Sequence, residues 1–191
     1  MLKKYGVLRE GHFLLTSGKH SDKYFEKFRI LEQPPVCEAF AKSVAERFRK
    51  ENATVVCGPT TGGIIIAYEV ARQLGCRCVI AEKAELGRKI GRGFRLGPED
   101  RVLVVDDVLT TGGSIKETLA ALEPNGAKVI GVGVFVDRSA GVDLASAAPV
   151  GQCGVPLFGA FRQQVATYEP SACPLCAKGI PLEEPGRSGK K

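Results

Sequence analysis

The chain has 191 residues, 44% of them hydrophobic, and a net charge of +6, which suits one domain with a sizeable core and small appendages but leaves little room for a second. No stretch reaches the roughly 20 apolar residues of a membrane span, and Met1-Leu2-Lys3-Lys4-Tyr5-Gly6 lacks the apolar core of a signal peptide, so a cytoplasmic location is expected. Seven cysteines, an odd number in a chain of ordinary size, read as mostly reduced thiols, and the positive charge speaks to partners and solubility rather than to fold.

In chain order, residues 11–27 carry Thr16-Ser17-Gly18 at a turn, then Tyr24 and Phe25, and read as a small hood. Pro34-Pro35 opens a helix in which Val36, Phe40, Val44 and Phe48 recur every four residues, an apolar stripe with charges on the other face. Apolar runs at 54–57, 77–81, 102–105 and 129–136 then alternate with amphipathic segments at 64–74 and 114–125, which stop at Gly75 and Gly126. That alternation predicts βα units building a parallel sheet, with each glycine as a left-handed helix cap. Beyond Arg138 the pattern weakens: Val155-Pro156-Leu157-Phe158 suits a strand, and 183–191 is polar. One domain is expected over 1–182, with the hood drawn from about 1–33 and 147–182 and a polar tail at 183–191.

The most informative string is Arg101-Val102-Leu103-Val104-Val105-Asp106-Asp107-Val108-Leu109-Thr110-Thr111-Gly112-Gly113-Ser114. A buried strand runs into two carboxylates, a loop of hydroxyls and glycines, and a helix. The glycines let backbone N–H groups approach a phosphate, Thr110, Thr111 and Ser114 can donate to its oxygens, and the helix start adds partial positive charge. Carboxylates would oppose a bound phosphate, so Asp106 and Asp107 need another partner: sugar hydroxyls, or Mg²⁺ held through carboxylates and water. A plain turn after a strand end is the simpler alternative. The absence of a Walker lysine and of GxGxxG argues against ordinary ATP and dinucleotide sites.

This string resembles the phosphoribosyl pyrophosphate signature of the type I phosphoribosyltransferases. The resemblance implies an α/β fold, a mostly parallel twisted sheet flanked by helices, with a small hood and a flexible loop. It also implies that Asp106 and Asp107 hold the ribose hydroxyls, that Thr110, Thr111, Gly112, Gly113 and Ser114 hold the 5-phosphate, and that Mg²⁺ is the cofactor, held mainly through substrate near the two aspartates.

Four further segments, in a match over about residues 5–140, resemble orotate phosphoribosyltransferases. Ser17-Gly18-Lys19-His20-Ser21-Asp22-Lys23-Tyr24-Phe25 is similar to their base-binding segment, with Phe25 toward the base; a core aromatic is the alternative. Thr60, Thr61, Gly62 and Gly63 follow a strand and open a helix, which suits pyrophosphate or a plain βα turn. The basic, glycine-bearing segment from Glu82 to Gly93 resembles the mobile catalytic loop, in which Lys83, Arg88 and Lys89 would close over the leaving group; a solvated basic loop is the alternative. Arg138, just past a strand, matches the arginine that contacts orotate. By that resemblance Lys89, Arg88 and Asp107 are the catalytic candidates, with Lys89 nearest the leaving pyrophosphate. There are departures: Thr16, Gly62 and Ala84 stand where some orotate enzymes carry basic residues, and the loop has no histidine.

The implied reaction transfers ribose 5-phosphate from phosphoribosyl pyrophosphate to orotate, giving orotidine 5-monophosphate and pyrophosphate in pyrimidine (UMP) biosynthesis, and the resemblance implies a homodimer. The same chemistry on another base and a nucleic-acid-binding regulator of this fold are the rival readings. Against the second stands the absence of an added helix-turn-helix or an arginine-aromatic platform, so neither nucleic acid nor membrane is expected as a partner. Cys173-Pro174-Leu175-Cys176 has ligand-pair spacing, but structural zinc takes four ligands. Zinc completed by nearby Cys153 or by a second subunit's pair, and a tight turn with packed thiols, both stay open.

Overall fold

The computed structural model describes residues 5–15, 17–139, 154–162 and 165–185. The elements in order are β1 (Leu8–Leu14), β2 (His20–Phe25), α1 (Phe28–Leu31), α2 (Pro34–Phe48), β3 (Val55–Pro59), α3 (Gly62–Leu74), β4 (Arg77–Lys83), β5 (Arg88–Ile90), β6 (Arg101–Leu109), α4 (Gly113–Leu122), β7 (Lys128–Asp137), β8 (Leu157–Arg162), β9 (Thr167–Tyr168) and α5 (Pro174–Ala177). Among the described residues no helix is long and apolar enough to cross a membrane. The chain divides into two compact units, Met1–Ile30 with Gln164–Lys191, and Leu31–Gln163.

The smaller unit is the antiparallel sheet β1-β2-β9. Leu15 and Gly18 close the β1–β2 turn through Leu15 N–H to Lys19 O (2.8 Å) and Gly18 N–H to Leu15 O (2.9 Å). Glu183, expected to begin a loose tail, instead pairs with β1: its N–H donates to His12 O and its carbonyl accepts from Leu14 N–H, both at 2.8 Å. A strand edge left open would leave those backbone groups without partners, and Glu183 satisfies them. Residues 186–191 of the expected tail lie outside the described residues. Among the described residues the buried apolar side chains of this unit are few, namely Val7, Phe13, Phe25, Ile30 and Cys173.

The larger unit is a six-stranded sheet in the order β5-β4-β3-β6-β7-β8, parallel except for β5. Its central strands are buried on both faces, as the near-continuous apolar runs require. On one face, Ile115, Leu119 and Leu122 of α4 pack on Val55, Cys57, Val102, Val104 and Val132. On the other, α2 lies close to β7 because Gly131 and Gly133 leave room: a Cβ there would stand 2.2 Å from the Phe48 ring and 2.5 Å from Val44. The stripe expected of α2 is buried at Val36, Val44 and Phe48, while Phe40 stacks on Phe135 with centroids 5.2 Å apart. Gly75 (φ +69°) caps α3, and Gly126 (φ +68°) caps the short 3-10 turn Glu123–Asn125 that follows α4, both in the left-handed region.

One boundary differs from expectation. β8, assigned from the sequence to the hood, joins the main sheet beside β7, with Phe158 edge-on to Phe48 at 6.5 Å between centroids. The other hood residues expected at 147–153 lie outside the described residues.

Candidate active site

β6 does not stop before the aspartates but runs through them to Leu109, supported by β7, with Asp106 opposite Val134 and Leu109 opposite Asp137. Both carboxylates are buried, at 6% exposure each. Each accepts the next backbone N–H, Asp106 Oδ1 from Asp107 N (2.8 Å) and Asp107 Oδ1 from Val108 N (2.7 Å). Such bonds fix the carboxylates along the strand end without neutralising their charge.

Past Leu109, Thr110 and Thr111 are exposed, and Gly112 turns the chain at φ +80° into α4. No side chain caps α4, so its first-turn N–H groups face the Thr-Thr-Gly-Gly loop. A parallel arrangement follows β3. Thr60 and Thr61 lead into α3, again without a side-chain cap, with Gly62 and Gly63 in its first turn. Here glycine is required by space: a Cβ at Gly62 would lie 2.2 Å from Asp107 Oδ2, and one at Gly63 would lie 2.5 Å from Pro59 Cδ. The two candidate phosphate loops therefore meet across Asp107.

The segment expected as a mobile loop is an antiparallel hairpin. β4 and β5 pair Glu82 with Lys89 and Lys83 with Arg88, and Ala84 N–H closes the turn on Gly87 O at 3.1 Å. Gly87, at φ +65°, supplies the left-handed residue that the turn needs. The pairing separates Lys89, expected nearest the leaving pyrophosphate, from Arg88, expected close behind it. Neighbours on a strand point to opposite faces, and here the Arg88 side chain is 6% exposed whereas Lys89 is exposed. Arg88 Nη1 donates to Thr60 Oγ1 (3.2 Å), Thr60 O (3.4 Å) and Ala81 O (3.2 Å), and Nη2 donates to Ser114 Oγ (3.2 Å). Its Nε lies 3.4 Å from Glu117 Oε2, an ion pair without hydrogen-bond geometry. Arg88 is thus the tie between the 60–63 loop and the start of α4. Glu117, which the sequence reading did not single out, balances its charge. Only the one-turn spacing from Ser114 hinted at that role. Lys83 shares the Arg88 face by cross-strand pairing and is exposed at the end of β4.

Arg138 follows β7 directly, and its N–H donates to Leu109 O at 2.9 Å, which puts it beside the start of the phosphate loop. Beneath the site, burial and then the neighbouring Cys78 push the Cys57 thiol up to about 12 against the pull of Arg88, so it stays a neutral, inert thiol. Among the described residues no group of three or more His, Cys, Asp or Glu donors includes Asp106 or Asp107. The pair offers hard oxygen donors suited to Mg²⁺, but too few for an all-protein cage. Phe25 ends β2 in the smaller unit and is 4% exposed. Cys173 and Cys176 lie in that unit too, around α5.

Residues 29–155 match the phosphoribosyl transferase domain family. The chain is 46% identical over 187 residues to the orotate phosphoribosyltransferase of Caldanaerobacter subterraneus subsp. tengcongensis, covering 97% of this chain and 94% of that protein. It is 42% identical over 192 residues to the orotate phosphoribosyltransferase of Thermotoga maritima, covering 100% and 98%. Among solved structures, orotate phosphoribosyltransferase from Aeropyrum pernix superposes with a TM-score of 0.67 at 30% identity, covering 84% of this chain and 91% of that one. With these similarities and two uncapped helix starts meeting at a buried acidic pair, the chain belongs to the orotate phosphoribosyltransferase family.

Proposed function

We propose that this chain transfers ribose 5-phosphate from phosphoribosyl pyrophosphate to orotate. The carrying observation is the contact of Gly62 with Asp107, which sets a pyrophosphate loop against a ribose-binding carboxylate. The 5-phosphate takes Thr110, Thr111, Gly112, Gly113 and Ser114, where backbone N–H groups and the α4 dipole favour an anion. The ribose hydroxyls donate to Asp106 and Asp107. The pyrophosphate lies toward Thr60, Thr61, Gly62 and Gly63 at the start of α3. Arg138, beside the phosphate loop, offers paired donors to the orotate carboxylate.

With the sugar held at both ends, a ring nitrogen of orotate, its proton released to water, forms its bond to the anomeric carbon as the bond to pyrophosphate breaks. Positive charge grows on the ribose and negative charge on the leaving group. The buried carboxylates face the first, while Lys83, on the Arg88 face of the hairpin, supplies a cation to the second, and Arg88 holds the two loops in register. Asp106 and Asp107 would hold a Mg²⁺ ion shared with the substrate, and the ion would supply charge neutralisation for the leaving group.

The homodimer is part of the same proposal. Supporting it are the exposed Ile65 and Tyr68 of α3, beside a cleft of about 430 Å³ that Leu31, Pro34 and Cys37 also line. The deciding experiment is pyrophosphate release with orotate, uracil, hypoxanthine or adenine as acceptor, with EDTA and Mg²⁺ add-back. Orotate-dependent, Mg²⁺-restored release is expected; equal release with another base would overturn the assignment of orotate.

A further inference from the structure

A second cluster of reactive side chains lies wholly in the smaller unit and takes no part in the chemistry above. His12 comes from β1, His20 from β2, and Cys173 and Cys176 from the two sides of the Pro174-Leu175 turn. One donor atom from each of the four lies within 4.8 Å of the others. His12 Nε2 stands 2.9 Å from His20 Nδ1, 3.6 Å from Cys173 Sγ and 3.7 Å from Cys176 Sγ, and Cys176 Sγ stands 3.3 Å from His20 Nδ1.

We propose that His12 Nε2, His20 Nδ1, Cys173 Sγ and Cys176 Sγ are the four ligands of a structural Zn²⁺ ion. Zinc bonds of about 2.3 Å to sulfur and about 2.0–2.1 Å to nitrogen place tetrahedral neighbours roughly 3.3–3.8 Å apart. The three sulfur–nitrogen separations fall in or at the edge of that range, and the two ring nitrogens need to part by only a few tenths of an ångström.

The tautomer is already set for binding at His12. Its Nδ1 lies 2.7 Å from Ile180 O, and a carbonyl only accepts, so Nδ1 carries the proton and Nε2 presents its lone pair to the cluster. A ligating histidine is commonly oriented by a bond of this kind. The cysteine turn is likewise built: Ala177 N–H donates to Cys173 O (3.2 Å), Gly179 N–H to Cys176 O (2.9 Å), and Gly179 adopts φ +65°. His12, His20 and Cys173 are buried, whereas Cys176 is exposed and gives the ion a path of entry.

The unit has a reason to hold a metal. Its sheet is three strands, β9 contributes two residues, and its buried apolar side chains are few among the described residues. A small unit with so little core commonly needs a disulfide or a metal to stay folded. Zinc here would tie the first two strands to the segment after β9, which are far apart in sequence. All four ligands come from one chain, so neither Cys153 nor a second subunit is required. Four protein ligands leave no open position, which is the arrangement of a structural ion rather than a catalytic one.

The test starts with wild-type protein purified without a metal-affinity step and measured for zinc, iron and copper by plasma mass spectrometry. About one zinc per chain is expected, falling to under about one tenth in Cys176→Ser and in His20→Ala, with Cys76→Ser keeping its full content. Chelator-treated wild type titrated with Co²⁺ should develop the visible bands of tetrahedral cobalt and a thiolate charge-transfer band. Removing zinc should speed hydrogen exchange in β1, β2 and 165–183 while the protection of β3, β6 and β7 is retained. Absence of zinc from the wild type together with absence of the cobalt bands would overturn the site. Full zinc in Cys176→Ser would overturn the ligand set, and iron or copper in its place would overturn zinc. None of these readouts depends on which base the enzyme uses.

Discussion

The two ends of the parallel sheet are built in opposite ways. At the amino end, where β3, β4, β6 and β7 begin, buried Asp100 accepts from Arg77 Nη2 (2.5 Å), Thr54 Oγ1 (3.0 Å) and Gly97 N–H (3.1 Å), while Arg101 donates to Glu51 O (2.6 Å). Each of these groups meets a protein partner. At the carboxyl end, two helices begin without side-chain caps, hydroxyls stand exposed, and the second of two buried carboxylates abuts Gly62, where there is no room for a Cβ. The first arrangement stabilises the fold, and the second reserves its polar groups for a ligand. That is the general division in open α/β sheets, where ligands bind beyond the carboxyl ends of the strands.

The comparison is most exposed to failure at Asp107. Asp107→Asn keeps an oxygen for Val108 N–H, so the thermal midpoint should stay close to wild type while kcat/KM for phosphoribosyl pyrophosphate falls by about a hundredfold or more. Normal kinetics would remove the acidic pair from the ribose site. Gly62→Ala comes next: alanine is the better helix former, but its methyl group would collide with Asp107 Oδ2. A loss of about tenfold or more in kcat/KM is expected, with the helical circular dichroism signal preserved; a variant as active as wild type would show that the two loops need not touch.

Lys83→Ala, on the face that Arg88 presents to the site, should lower kcat by about tenfold and leave the KM for orotate nearly unchanged. The effect is smaller than for a preorganised donor because an exposed ammonium is screened by solvent and salt. Steady-state kinetics showing unchanged turnover would take Lys83 out of the pyrophosphate site and leave Arg88 as the hairpin's cation on that face.

The amino end should respond in the reverse sense. Asp100→Asn should cost about 1–3 kcal/mol in denaturant unfolding and leave kcat unchanged. Although burial opposes ionisation of Asp100, bonds from Arg77, Gly97 N–H and Thr54 hold its carboxyl below the ordinary value of 3.8. Its stabilising contribution is therefore complete above that value and is lost as the pH falls through the lower folded one. The gap in stability between wild type and Asp100→Asn should be constant near neutrality and narrow below about pH 4; a gap that widened in acid would contradict the network.

Much of this was legible in order along the chain. Apolar runs and glycine caps located β3, α3, β4, β6, α4 and β7 to within a few residues, because each is decided by local periodicity and by the φ that a cap demands. The 106–114 string was legible for the same reason: a phosphate loop is contiguous, so its parts are read together. The paired hairpin at 82–90, the place of β8 in the main sheet and the pairing of Glu183 with β1 were not legible. Each depends on which distant edge is free to pair, and a sequence does not print that.

The sequence by itself determined the sheet-and-helix alternation, the phosphate loop with its two aspartates, and the Cys173/Cys176 spacing, since all are short-range relations among residue types. Tertiary structure alone decided that Gly62 abuts Asp107, that Arg88 turns inward to Thr60 and Ser114 while Lys89 turns out, and that His12 and His20 join the two cysteines. The physical reason is common to all three: strand pairing and helix packing bring together groups whose separation along the chain carries no local signal.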